Sequence, residues 1–251
     1  MILAILQART SSNRLPNKVL LDICGKPMIE WQIQRVKLSK KINQIVLATS
    51  NLKEDRILTK IAKRNNIDSF CGDLNDVLKR FYDCSLRYNS DHIVRITGDC
   101  PLIDPNIIDK TISFHLENNF DYTSNSLEPT FPDGFDTEIF KSSLLKIANK
   151  NAKLKFQREH ITQYFIKNSN IFKLGSFKNN IDYNKIRLTV DEIQDYELVK
   201  IIFEKLLNIK KNFLFEDILE LFKNEPHLLK INSKFIRNEG LIKSIIEENY
   251  E

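Results

Sequence analysis

Arg9, Arg14 and Lys18 fall within ten residues directly after an apolar run at 2–6, interleaved with Ser11, Ser12 and Asn13 and with no acidic residue between them. A polar loop that presents cations at the end of a core strand suits a polyanion such as a triphosphate, because the arginine fork matches phosphate oxygens and lysine adds a point charge. Charge spacing alone also allows a solvated basic turn. Neither the Walker glycine–lysine loop nor the GxGxxG pattern is present. Further along, Asp99 and Asp191 each stand just past a strand-like run. Two hard carboxylates are what Mg2+ takes when waters and phosphate oxygens complete its shell; each could instead cap the turn leaving its strand. A third group is acidic: Asp133, Asp136 and Glu138 lie in the seven residues PDGFDTE, with Asp136 and Glu138 two apart and so on one face of a strand. It reads as a binding wall or as a solvated turn. Arg95 points to the same crevice or makes a structural ion pair, and Arg187 is a further anion-binding candidate. His160 is a base, a ligand or a structural histidine, whereas His92, His115 and His227 lack metal-ligand spacing.

Positioning these groups needs a scaffold, and the pattern predicts one. Apolar runs at 2–6, 45–49 and 92–96 read as buried strands. Between them Ile29, Ile33 and Val36, then Ile57 and Ile61, then Leu74, Val77, Leu78 and Phe81 recur at helical spacing, with Pro27 and Gly72-Asp73 as entries. A helix through Ile107, Ile108, Ile112 and Leu116 follows. Such alternation predicts an α/β fold with a mostly parallel central sheet. Ligands bind beyond the carboxyl ends of its strands. The basic loop after the first strand and Asp99 after the third would then open onto one crevice. Residues 121–140 read as irregular loop ending in a strand. Helices are expected at 144–148 and 159–166, a strand at 186–190, and a helix through Leu198 and Leu206. Residues 1–206 would form the main domain, and 207–251 a helical C-terminal appendage or oligomer contact.

Composition narrows the class. The 251 residues are 42% hydrophobic and 28% charged, with a net charge of +5, which describes a soluble globular protein of mixed sign. No concentrated basic stripe marks a nucleic-acid binder, and no apolar run approaches membrane-spanning length. Cys24, Cys71, Cys84 and Cys100 are widely spaced, without a CxxC pair or a secretory leader, so a reduced cytoplasmic protein is expected.

Residues 8–18, ARTSSNRLPNK, resemble the AR-x-x-S-x-R-x-x-x-K signature of cytidylyltransferases, the enzymes that make CMP-activated sugar acids. The opening Gln7-Ala8-Arg9 is similar to the branch of spore coat polysaccharide biosynthesis proteins F. TGDCPLIDP, PDGFDTEIF, REHIT and RLTVDE extend the likeness over about residues 1–205. The resemblance implies a three-layer Rossmann-like nucleotidyltransferase (GT-A-like) fold. It implies CTP-dependent activation of a sugar acid or sugar-like phosphate as a CMP or CDP conjugate, with release of pyrophosphate, for surface polysaccharide. The implied nucleotide site comprises Gln7, Ala8, Arg9, Ser12, Arg14, Lys18, Arg95, Thr97 and Gly98. Lys18, Arg14 and Asp99 would be catalytic, and Asp99 and Asp191 would hold Mg2+ or another divalent cation. Asp133, Asp136, Glu138, His160 and Arg187 would face the acceptor, one carboxylate binding hydroxyls or removing the proton of the attacking one. A homodimer also fits the resemblance. Thr97 and Gln7 depart from the Gln and Pro of the sugar-acid synthetases, at positions near the base in those relatives. Two alternatives stand beside this reading. A glycosyltransferase of related fold would hold metal through Asp-x-Asp, where this chain has Asp99-Cys100-Pro101; the other is a nucleotide-binding protein without chemistry.

Overall fold

Strand β1 (Ile2–Gln7) is apolar on both faces and lies inside a seven-stranded sheet, where both faces are covered. The computed structural model describes residues 1–250, with side chains to residue 248. After β1 come a 3-10 turn at Lys18–Leu20 and a short hairpin of β2 (Asp22–Ile23) and β3 (Lys26–Pro27). Alternating steps follow: α1 (Met28–Val36), β4 (Gln44–Ser50), α2 (Arg56–Arg64), β5 (Asp68–Gly72), α3 (Val77–Ser85), β6 (His92–Thr97) and α4 (Pro105–Glu117). The second half holds β7 (Tyr122–Ser124), β8 (Glu138–Lys141), α5 (Ser143–Asn151), α6 (Lys155–Glu159), α7 (Gln163–Lys167), β9 (Leu174–Ser176), α8 (Ile193–Leu207), α9 (Phe215–Asn224) and α10 (Glu239–Tyr250). The sheet order is β5-β4-β1-β6-β8-β7-β9, and only β8 runs against its neighbours β6 and β7.

Alternation along the central strands divides the core in two. Ala4, Leu6, Leu47, Val94 and Ile96 pack to one side with α1, α4 and α8. Leu3, Ile5, Val46, Ala48 and Ile93 pack to the other with α3 and α5. This is the three-layer α/β arrangement expected from the sequence. Phe213, Phe215, Ile218, Leu221, Phe222 and Leu228, from the 207–251 region, enter the first of these cores. Asp104 ties the region down further by accepting from the Phe215 amide at 2.8 Å.

Four local expectations are corrected. β5 was not expected, because DSFCG buries only Phe70 and an edge strand needs no apolar alternation; residues 92–96 are thus in the fourth parallel strand. Residues 186–190 form no ladder strand. Leu188 and Val190 are fully buried, but the segment pairs only as a bridge between Arg187 and Asp133, so its apolar pattern reports core filling. The helix expected at 159–166 is broken into α6 and α7, with His160 capping the first. The loop expected from residue 121 begins as strand β7.

Candidate active site

The basic loop leaves β1 and is held from below by Asp55. This buried carboxylate accepts from the Thr10 amide and hydroxyl, both at 2.7 Å, and from the Ser50 hydroxyl at the end of β4. Those hydrogen bonds keep Asp55 ionised against its burial. Asn17 adopts the left-handed conformation (φ 57°), which turns the chain into the 3-10 turn that begins with Lys18. Next door, Gly98 follows β6 and donates its amide to the Gln7 carbonyl at 2.8 Å. A Cβ at Gly98 would lie 2.8 Å from that oxygen and from the Ala8 methyl, so only glycine lets the two strand exits close up.

Here the distant acids meet. Lys18 Nζ donates to Asp191 at 2.7 Å, to Asp99 at 3.2 Å and to the Val190 carbonyl at 2.8 Å. The Val190 amide donates to the Asp99 carbonyl at 2.8 Å, which brings the segment before Asp191 against the exit of β6. Burial works against the Lys18 charge, but the two carboxylates outweigh it and raise its pKa. Burial also opposes the Asp99 charge, yet Lys18 and its hydrogen bonds hold that carboxyl down at about 2. Arg14 completes the cluster, with ion pairs to Asp191 at 2.9 Å, Glu239 at 2.7 Å and Glu192 at 3.4 Å. No cluster of three or more metal-ligating side chains occurs among the described residues. Asp99 and Asp191 are a pair of hard oxygen donors converging on one positive charge, not a preformed cage.

The acidic wall stands across the same cleft. Arg95 pairs with Glu138 and donates to Gln7 Oε1 at 3.0 Å. Glu138 also accepts from the hydroxyls of Tyr122 (2.6 Å) and Thr162 (2.7 Å), and these partners keep it ionised although it is buried. Asp136 pairs with Arg237. Asp133 pairs with Arg187 at 3.0 Å, yet burial and the neighbouring Asp136 push its pKa up to about 7. The Asp136 carboxyl is likewise raised by burial, with Arg237 opposing. His160 Nε2 lies 3.2 Å from the Ser244 hydroxyl of α10.

All the site residues expected from the sequence line this cleft of about 1170 Å3 except Arg187. That volume exceeds the ~300–1,000 Å3 of a typical small-molecule site. Arg187 is corrected from substrate ligand to structural hub. It is 7% exposed, and its guanidinium is engaged by Asp195 (2.9 Å), Asp133 (3.0 Å), Asp191 (3.1 Å) and the Ile236 carbonyl (3.2 Å). Sequence reasoning missed several contributors. Arg158 grips Asp76 with two bonds of 2.6 and 3.0 Å, and only its place beside His160 in REH gave a hint. Arg80 lines the cleft from α3, and Glu239, Lys243 and Ser244 line it from α10. Nothing in local spacing marks them, because their neighbours come from remote parts of the chain.

With this geometry in place, known proteins add a second line of observation. A family profile described as cytidylyltransferase matches residues 3–236. An uncharacterized protein of Methanocaldococcus jannaschii is 39% identical over 240 residues, 92% of this chain and 94% of that protein. The spore coat polysaccharide biosynthesis protein SpsF of Bacillus subtilis is 30% identical over 211 residues, 81% of this chain and 87% of that protein. The solved structure of a cytidylyltransferase from Leptospira borgpetersenii superposes with a TM-score of 0.88 at 35% identity, covering 94% of this chain and 99% of that one.

Proposed function

Because the chain belongs to the cytidylyltransferase family, we propose that it transfers the cytidylyl group of CTP to a sugar acid or sugar-like phosphate, releasing pyrophosphate and supplying an activated sugar for surface polysaccharide. Membership makes it a nucleotidyltransferase and sets aside the glycosyltransferase and non-catalytic alternatives. The observation that carries the finer reading is the meeting of Lys18 with Asp99 and Asp191 beneath the basic loop, at 3.2 and 2.7 Å. Two hard carboxylates already gathered around one cationic centre suit Mg2+ or a similar divalent ion, whose shell phosphate oxygens and waters would complete. Such an ion would neutralise charge on the phosphates.

The chain's own groups do the rest by position and charge, as phosphoryl and nucleotidyl transfer require. Arg9, Ser12 and Arg14 take oxygens of the triphosphate, and Lys18 donates to the β and γ groups as they depart. For Arg14 and Lys18 this means exchanging carboxylate partners for phosphate. The acceptor oxygen forms a bond to the α-phosphorus as the bond to the bridging oxygen breaks. A hydroxyl acceptor sheds its proton to the acidic wall, where Asp133, with its pKa raised to about 7, is matched to that task near neutral pH. Asp136 and Glu138 accept from the remaining hydroxyls. Four unbridged cysteines fit a cytoplasmic setting, and no helix among the described residues is long and apolar enough to cross a membrane.

Purified protein with Mg2+, CTP and a panel of sugar acids and sugar phosphates is expected to release pyrophosphate with at least one acceptor. A stable wild-type protein that releases none, with any of the four triphosphates, would remove this reading.

A further inference from the structure

Helices α9 and α10 are attached to the molecule in different ways. Phe215, Ile218, Leu221 and Phe222 of α9 are buried in an apolar core, whereas no described residue of α10 is buried or enters either core. Ile242 and Ile246 stay exposed on its surface. Polar contacts hold α10 in place. At its start Glu239 accepts from Arg14 Nη1 at 2.7 Å. Further along, the Ser244 hydroxyl lies 3.2 Å from both His160 Nε2 and a carboxylate oxygen of Glu159, at the end of α6, and Glu248 accepts from the Phe156 amide at 3.1 Å. An element held by part-exposed polar contacts, without buried apolar surface, opens at a free energy well below that of global unfolding.

The chain just before α10 is pinned. Arg237 pairs with Asp136 and donates to the Phe131 carbonyl at 3.2 Å. Asn238 then takes the left-handed conformation, φ 60°, and turns the chain into the helix. A fixed arginine, a turn and a helix held only from one side make a strap with its hinge at Asn238. Glu239, Lys243, Ser244 and Glu247 of that strap line the cleft. Asp191 on Nη2, with Glu239 and Glu192 on Nη1, engages the Arg14 guanidinium, so a phosphate gains Arg14 by displacing a carboxylate. Asp191 is also held by Lys18 and Arg187, and Glu192 sits in the capping box of α8. Glu239 is the carboxylate carried by a movable element. A polyphosphate, with more charge and several oxygens, competes for an arginine fork better than a single carboxylate does.

We propose that α10 is a strap latched across the cleft by Glu239, and that a polyphosphate chain unlatches it by taking Arg14. The latch then works against binding, because apparent affinity scales with the fraction of molecules whose strap is open. By linkage, loosening the strap at any point along its length tightens polyphosphate binding, even where the loosened contact is remote from Arg14. The inference rests on the nucleotidyl-transfer reading above, which gives Arg14 to the triphosphate, and adds a device that ties entry of the polyphosphate to movement of α10.

The test follows inorganic tripolyphosphate and CTP, each with Mg2+, on wild type, Glu239→Gln and Ser244→Ala, by titration calorimetry and by hydrogen exchange of the α10 amides. Glu239→Gln removes the charge of the latch; Ser244→Ala removes no charge and touches no residue assigned to phosphate. Tripolyphosphate should speed exchange across residues 242–248 of wild type, and CTP should do the same. Both variants should exchange faster there without ligand and bind tripolyphosphate tighter. The gain should be about two- to fivefold for Glu239→Gln, the range a part-exposed ion pair allows, and at least about twofold for Ser244→Ala. Wild-type α10 amides that slow, or do not change, on binding tripolyphosphate overturn the proposal. So does tighter binding by Glu239→Gln alone, which would make Glu239 a repelling charge and not a latch, and so does an affinity unchanged in both variants. In each of those cases nucleotidyl transfer stands, whereas a wild type that binds neither tripolyphosphate nor CTP removes both readings.

Discussion

Lys18 holds Asp99 and Asp191 together through its ammonium, and in the proposed reaction the same charge would be offered to the departing phosphates. Asp99→Ala should lower turnover by on the order of 10^3 while leaving the melting temperature nearly unchanged, since Lys18 keeps Asp191 as partner. Unchanged pyrophosphate release would take Asp99 out of the mechanism. Lys18→Ala should lower kcat/KM for CTP by about 10^2 or more, and an unaltered KM and kcat would refute its phosphate role. Asp133 titrates upward, at about 7. Only its ionised form accepts a proton, so turnover of a hydroxyl acceptor should be low at pH 5–6, rise through about 7 and level off above it. Asp133→Asn should flatten that rise, which a pH–rate profile reads directly.

Among elements, the segment between α9 and α10 binds the two halves of the cleft together. Asn232 donates to the Arg187 carbonyl (3.0 Å) and to Asp195 (2.8 Å), the N-terminal carboxylate of α8, and Arg237 engages Asp136. Arg187 stands at the centre, joining Asp191, Asp133 and Asp195. Arg187→Ala would leave the fully buried Asp195 without a cation among the described residues and take one of the cations from Asp133 and Asp191, at a cost of about 3–5 kcal/mol. Urea denaturation should show that loss. Intact stability with a raised KM would return Arg187 to the substrate. A second contact joins strand and helix away from the cleft: His115 of α4 lies 3.1 Å from His92 of β6 and 2.9 Å from the Thr123 hydroxyl of β7. Burial, then His92 and Lys141, push His115 down to about 4, with Asp121 opposing. The folded chain thus prefers the neutral ring, so stability is full above about 6.5 and is lost as pH falls toward 4, by about 3 kcal/mol at most. Melting temperature measured from pH 7 to 4 should fall accordingly, and fall less in His115→Asn.

For the whole molecule, the sheet decides which parts of the chain share a cleft. The strand-and-loop at residues 2–18 is legible in sequence because its parts are contiguous: apolar alternation buries β1, and the polar run after it must lie outside the core. The α/β layering is legible for the same reason, through the repetition of strand and helix periods. The edge strand β5 was not, since burial on it amounts to one phenylalanine. Nor was the lack of a strand at 186–190, where apolar residues fill a core without a ladder. Arg187 and Arg80 look alike in sequence, as cations near apolar residues. Tertiary packing surrounds the first with carboxylates, while the second donates to the Asp73 carbonyl and makes no ion pair among the described residues, a difference set wholly by which remote segments arrive. The sequence by itself therefore determined the layered architecture, the cationic turn and the candidate acids, because burial periodicity and residue chemistry act over short stretches of chain. That Lys18 bonds Asp99 across 81 residues and Asp191 across 173 was decided only by the tertiary structure. β1 and β6 lie in parallel register, and the Val190 amide closes on Asp99; such meetings depend on the path of the whole chain, which no local pattern encodes.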